Sequence, residues 1–266
     1  MLIFRQPGIE DWSRMIPPKG LELLSMTDSL RYPSLPAGIL IIVGGFGSGK
    51  TEISVNLTRY LALSGESQIT IADLDLVNPY FRSREAREEM ERLGVRLIAP
   101  KGGNSYADLP ILLPEIRGAV EERTGRLILD VGGDAQGSRA LGSLSDLFVA
   151  GAYQMLMVIN SRRPFTADVA GTIDTMRRIE MSSKLKFTGL IANSHMIDET
   201  TPEIILEGLK LARQVEKVTG LPLQFLCGKE EVLKQIPPSD IDCAVLPLTR
   251  LMLKPWERKS GFSKGI

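Results

Sequence analysis

Short apolar runs recur along the chain at residues 39–43, 68–72, 95–99, 127–130, 155–159, 187–192 and 223–226. Each is strand-length and bounded by glycine, proline or a polar cluster, so each reads as a strand. Between them, apolar residues return at helical spacing. Ile53, Leu57 and Leu61 follow the first run, with Gly65 as the stop. Ala86, Met90 and Leu93 follow the second and end at Gly94. Residues 100–108 read as a glycine-containing loop, and Pro114 as the first turn of a helix reaching about Glu122. Val169, Ile173 and Met176 mark a helix after the fifth run. Thr201 and Pro202 read as N-cap and first helical residue of another, which buries Ile205, Leu209, Ala212 and Val215 and stops at Gly220. Strands alternating with helices pair in parallel through crossovers. Near-continuous apolar strands fit a sheet covered on both faces. The expected fold is therefore α/β, a mostly parallel sheet of about seven strands with helices on both faces.

The same pattern divides the chain. Residues 1–36, punctuated by Pro7, Pro17, Pro18, Pro33 and Pro36, read as an N-terminal strap. Residues 37–250 form one domain, and residues 251–266 a C-terminal tail. Leu251, Met252 and Trp256 mix there with Lys254, Arg258 and Lys259, but Pro255 interrupts the amphipathic pattern, so membrane attachment is not expected.

Composition narrows the partners. Lys+Arg and Asp+Glu balance at 32 each in 266 residues, so no net field draws the chain to nucleic acid. The small basic cluster of Arg177, Arg178, Lys184 and Lys186 lacks interleaved aromatics and reads as a solvated face. Cys227 and Cys243 make neither a CxxC metal motif nor a disulfide framework, which fits a reducing cytoplasm. No signal peptide or bilayer-length apolar run is evident.

The chemistry concentrates where the strands end. The first run empties into Gly44-Gly45-Phe46-Gly47-Ser48-Gly49-Lys50-Thr51, which fits G-x-x-x-x-G-K-[ST], the phosphate-binding P-loop, in its expected strand–loop–helix setting. Successive N–H groups of such a loop form a nest for phosphate oxygens, and the helix N-terminus adds positive partial charge. Lys50 is expected to reach the β- and γ-phosphates, and Thr51 to ligate Mg²⁺. Asp73-Leu74-Asp75 follows the second strand, Asp130-Val131-Gly132-Gly133 the fourth, Asn160 the fifth and Asn193 the sixth. In a parallel sheet these all converge on the rim at the strands' carboxyl ends, where ligands bind.

Over roughly residues 38–226, this pattern resembles the MinD/ParA/CobQ-like members of the SIMIBI class of P-loop NTPases. The resemblance implies an ATP/ADP cycle with Mg²⁺, and a nucleotide-dependent protein partner or homodimer. It implies that Asp75 positions the attacking water, that Asp73 lies near Mg²⁺, and that Asp130 holds a metal-bound water. It makes the Gly133 N–H a γ-phosphate sensor and Asn193 the reader of the base. The stretch Ala192-Asn193-Ser194-His195 is not the Asn-Lys-x-Asp of many GTPases, which favours ATP. Such relatives usually carry a second lysine early in the loop that reaches a partner's nucleotide. The matching position here is Gly45, so that cross-dimer contact does not carry over; Arg82, Arg84, Arg162 and Arg163 are the candidate replacements.

Two other functions fit the same fold. One is a small-molecule or polynucleotide kinase or ATP-dependent ligase, with an acceptor pocket from Tyr80, Arg82, Asn104 and Tyr106. The other is a nucleotide-dependent scaffold with negligible turnover. His195, the single histidine, reads as a surface or packing residue.

Overall fold

In the computed structural model, which describes residues 31–75, 84–99, 105–122 and 124–250, all strand pairs run parallel. β1 (Ile39–Gly44) lies inside an eight-stranded sheet of order β3-β2-β4-β1-β5-β6-β7-β8. The others are β2 (Ile69–Leu74), β3 (Arg96–Ile98), β4 (Arg126–Gly132), β5 (Tyr153–Ile159), β6 (Gly189–Ala192), β7 (Leu223–Lys229) and β8 (Ala244–Leu248). The helices are α1 (Lys50–Leu63), α2 (Arg84–Arg92), α3 (Ser105–Glu122), α4 (Ala135–Gly142), α5 (Val169–Ser183), α6 (Pro202–Thr219) and the single turn α7 (Glu230–Leu233).

β1 shows why its sequence is unbroken apolar. Ile41 and Val43 join one core while Leu40 and Ile42 join another on the opposite face. α1 packs Ile53, Leu57 and Leu61 on the second face; α3 to α6 supply Ile116, Leu141, Met176, Ile205 and Leu209 to the first. Each strand is thus covered twice, as a parallel sheet requires.

Two features differ from the sequence expectation. An eighth strand, β8, follows the seven expected ones, within residues 37–250. Pro247 lies within it, opposite Gly228, and an edge strand tolerates a residue with no N–H to donate. The free edge is partly covered, since the Val245 N–H donates to the Arg31 carbonyl at 2.8 Å. Second, α3 begins at Ser105, inside the expected loop, and carries Pro110 and Pro114 in its interior. Residues 31–36 are held by Arg126, which donates to the carbonyls of Pro36 and Leu35 and pairs with Glu66 at 2.7 Å.

The sheet order places the site. Chain order diverges at β1, with β4, β2 and β3 to one side and β5 to β8 to the other, so a crevice opens at its carboxyl end. Register sets Asp73 beside Asp130 and Gly44 beside Gly132. Among the described residues no helix is long and apolar enough to cross a membrane. Most of the expected strap, the tail, and Tyr80, Arg82 and Asn104 lie outside the described residues, as do the side chains of Arg84 and Tyr106.

Candidate functional site

The loop leaves β1 at Gly44 and enters α1 at Lys50. The Ser48 N–H donates to the Gly45 carbonyl at 3.0 Å, closing the turn. Gly47 and Gly49 take φ of 74° and 89°, a left-handed backbone that glycine adopts at no steric cost. Position 45 is open instead: nothing lies within 4 Å of a Cβ built there, so packing does not demand its glycine. Phe46 is 81% exposed and lines the cavity beside the loop.

Side chains from the next two strands hold the loop by its carbonyls. Asn193, just past β6, donates Nδ2 to the Ser48 carbonyl at 2.8 Å. Asn160, just past β5, donates to the Gly47 carbonyl at 3.4 Å, and Arg163 Nε donates to the same oxygen at 2.8 Å. The N–H of Gly49 shares a peptide plane with the Ser48 carbonyl and points the opposite way, so Asn193 fixes its direction. Asn193 is 1% exposed. It sits on the rim as expected, with its amide nitrogen committed to the loop.

On the other side of β1, one cation meets three carboxylates. Lys50, Asp73, Asp75 and Asp130 are all buried, and Lys50 Nζ lies 2.5 Å from Asp75 Oδ2. Asp73 Oδ1 accepts the Asp75 N–H at 2.9 Å, fixing the short turn that carries Asp75. Burial works against the Lys50 ammonium, but Asp130, Asp75 and Asp73 outweigh it and hold its pKa above the ordinary lysine value. Burial pushes the Asp130 carboxyl up to about 6, against the opposing pull of Lys50. The Gly133 N–H donates to the Gly44 carbonyl at 3.0 Å, and a Cβ at Gly133 would lie 2.6 Å from that oxygen. Both expected γ-phosphate contacts, Lys50 and Gly133, thus have internal partners.

The loop forms one wall of a cavity of about 630 Å³. The far wall comes from three strand ends: His195, Ile197 and Thr200 after β6, Gly228 and Lys229 at β7, and Leu248 and Arg250 at β8. Asp198 ties this wall together, accepting from Lys229 at 3.1 Å and Arg250 at 3.3 Å. Asn56 on α1 makes two bonds to the backbone of Thr249, accepting its N–H at 2.9 Å and donating to its carbonyl at 3.0 Å. Ile197, a β-branched residue, holds a φ of 56°, strain that persists only where surroundings over-determine it. The β7 and β8 residues were missed by sequence reasoning because they carry no motif. Only the polar pair Lys229 and Arg250 at the ends of apolar runs signals them.

His195 lines this cavity rather than lying on a plain surface. Burial, then Arg163 and Lys229, push its pKa down to about 4. A histidine depressed in the fold contributes stability that is complete above about 6.5, its unfolded value, and is lost as pH falls toward 4. We expect His195→Asn to remove up to about 3 kcal/mol of acid destabilisation across that window, read by denaturant titrations at pH 7.5 and 4.5. Equal pH slopes in variant and wild type would contradict this.

The donor set fits a hard divalent cation. Both carboxylate oxygens of Asp130 are buried without a hydrogen-bond partner, and oxygen ligands of this kind suit Mg²⁺. Thr51 and Asp73 are the neighbouring oxygen donors from α1 and β2. Among the described residues no group of three or more His, Cys, Asp or Glu that could hold a metal ion is found.

No protein-family model matches the chain, and the search of curated proteins finds no match. Among solved structures, the cell division protein FtsY of Thermotoga maritima aligns at 19% identity and TM-score 0.49, over 83% of this chain and 72% of that one. The chloroplast FtsY of Physcomitrella patens aligns at 20% identity and TM-score 0.47, over 74% and 60%. The signal recognition particle 54 kDa protein of Aeropyrum pernix, solved with GDP, aligns at 18% identity and TM-score 0.48, over 74% and 42%. Likenesses of this extent say nothing of activity, nucleotide or partner, which rest on the chain's own residues.

Proposed function

We propose that the chain is an Mg²⁺-dependent nucleoside triphosphatase of the SIMIBI type whose ATP and ADP states control a partner protein or a second copy. One observation carries this reading: a P-loop lysine, buried among three carboxylates and bonded to one of them, on the wall of a cavity of about 630 Å³. Asp75 neutralises Lys50 through their direct contact. Phosphate, as a stronger anion, takes the lysine and releases Asp75 beside the γ-phosphate.

The freed carboxylate orients a water for attack on the γ-phosphorus. The bond from that phosphorus to the β–γ bridging oxygen breaks and ADP leaves. The water proton passes to Asp75 or the departing phosphate. Lys50 and the loop amides stabilise the developing charge. Magnesium, when bound by Thr51, Asp130 and Asp73, neutralises phosphate charge. The Gly133 N–H would exchange the Gly44 carbonyl for a γ-phosphate oxygen, an exchange that ADP cannot drive.

The stretch Ala192-Asn193-Ser194-His195, in place of the Asn-Lys-x-Asp of many GTPases, supports ATP. Phe46, exposed on the loop, is placed for a partner to sense the nucleotide state. The test is phosphate release at saturating Mg-ATP and Mg-GTP. ATP-dependent release that requires Lys50 supports the reading. Phosphate transfer only when a metabolite is added would replace hydrolysis with kinase chemistry.

A further inference from the structure

Arg163 has no role in the reaction as derived so far, yet the fold places it with care. β5 ends at Ile159 and the chain turns at once, with the Arg163 N–H donating to the Asn160 carbonyl at 3.0 Å. Asn160 is fully buried, and its Oδ1 accepts the N–H of Arg162 at 2.9 Å and of His195 at 3.4 Å. Thr166 Oγ1 donates to the Asn160 carbonyl at 2.8 Å. The turn carrying Arg163 is therefore locked to β5, β6 and the P-loop.

From this base the side chain reaches back over the loop. Nε is bonded to the Gly47 carbonyl, and a Cβ built on Gly47 would lie 2.8 Å from Nε and 3.2 Å from Nη2. Only a glycine at 47 lets the guanidinium lie so close. Arg162, one residue earlier, pairs with Glu207. Among the described residues no carboxylate pairs with Arg163, although it lines the same cavity as Lys50. A half-buried guanidinium beside a phosphate loop, with one donor used and its charge uncompensated, is arranged to receive an anion.

We propose that Arg163 is a second phosphate-binding cation of this site, meeting the nucleotide's phosphate chain from the β5 side of the loop while Lys50 meets it from α1. The inference rests on the nucleotide-binding reading and deepens it. Arg163 is more than a clasp on Gly47: it discriminates by phosphate charge.

Calorimetric titration with Mg-ATP, Mg-ADP and AMP separates these roles. Arg163→Gln keeps an N–H donor for the loop but loses the charge; Arg163→Lys keeps the charge. We expect Arg163→Gln to weaken ATP by about tenfold or more, ADP by less and AMP least, and Arg163→Lys to stay within about threefold of wild type. Unchanged ATP affinity in Arg163→Gln, or an equal loss of all three nucleotides in both variants, would overturn the proposal. Lys50→Ala is the control. If wild type binds ATP and Lys50→Ala does not, a failure at Arg163 counts against Arg163 alone; if wild type binds no nucleotide, both readings fall.

Discussion

Lys50→Ala is expected to weaken Mg-ATP binding by roughly a hundredfold and to abolish turnover, because it removes a charge-assisted bond to phosphate worth about 1.5–3 kcal/mol. The same change has a second, separable effect on the empty protein. Lys50 is the cation that offsets Asp75, Asp130 and Asp73 in a buried setting. Without it these carboxylates are left uncompensated, a situation that typically costs about 3–5 kcal/mol. They escape the cost by taking up protons. The loss of stability should therefore be largest near pH 7.5 and shrink toward pH 5, since the variant's folded state holds more protons than its unfolded chain. Denaturant titrations at both pH values read the stability effect, and calorimetry reads the binding effect. An ATP affinity within threefold of wild type would show that phosphate does not use this lysine.

Asp75→Asn is expected to split binding from turnover in opposite directions. Asp75, 2.5 Å from Lys50, competes with phosphate for it. An asparagine still fills the space and accepts a weaker bond, so the lysine is easier to capture. ATP and ADP affinity should hold or tighten by up to about tenfold, given the strength of a charged hydrogen bond relative to a neutral one. Hydrolysis should fall by about 10²–10⁴, the usual contribution of a positioned general base. Single-turnover phosphate release with saturating ATP, beside equilibrium binding, separates the two. Weaker binding in this variant would mean that Asp75 supports the nucleotide rather than competing with it. Unchanged turnover would remove it from the reaction.

Much of this arrangement is legible in the sequence, for physical reasons. A buried parallel strand must be apolar on both faces, so β1, β5 and β6 announce themselves as unbroken runs. The P-loop is legible because its glycines answer backbone demands, as at Gly47 and Gly49, that few other residues meet. β8 is hidden because Pro247 within it reads against a strand; an edge strand does not need every N–H. The start of α3 is hidden because Pro114 reads as a first helical turn and the glycines before it as a loop.

Within the site, Asp73 and Asp130 lie at the carboxyl ends of β2 and β4, and Asp75 just past β2. Their pairing is not readable, because three carboxylates lie close to Lys50 and short-range geometry decides that Asp75 is the one it contacts. Asn193 shows the same limit. Its position at the rim follows from strand order, but whether its amide faces the base or the Ser48 carbonyl is decided by a few ångströms of loop path. The far wall, with Lys229 and Arg250 gathered by Asp198, joins three segments distant in sequence, and no local pattern links them.

If the cavity beside Lys50 is a nucleotide site, phosphate displaces Asp75 from the lysine on binding. Calorimetric titration of the intact protein with Mg-ATP and Mg-GTP at neutral pH tests it most directly. The expected result is saturable one-to-one binding, tighter for ATP than for GTP, weakened roughly a hundredfold in Lys50→Ala and retained in Asp75→Asn. No saturable binding of either nucleotide up to millimolar concentration, or binding indifferent to Lys50, would contradict it.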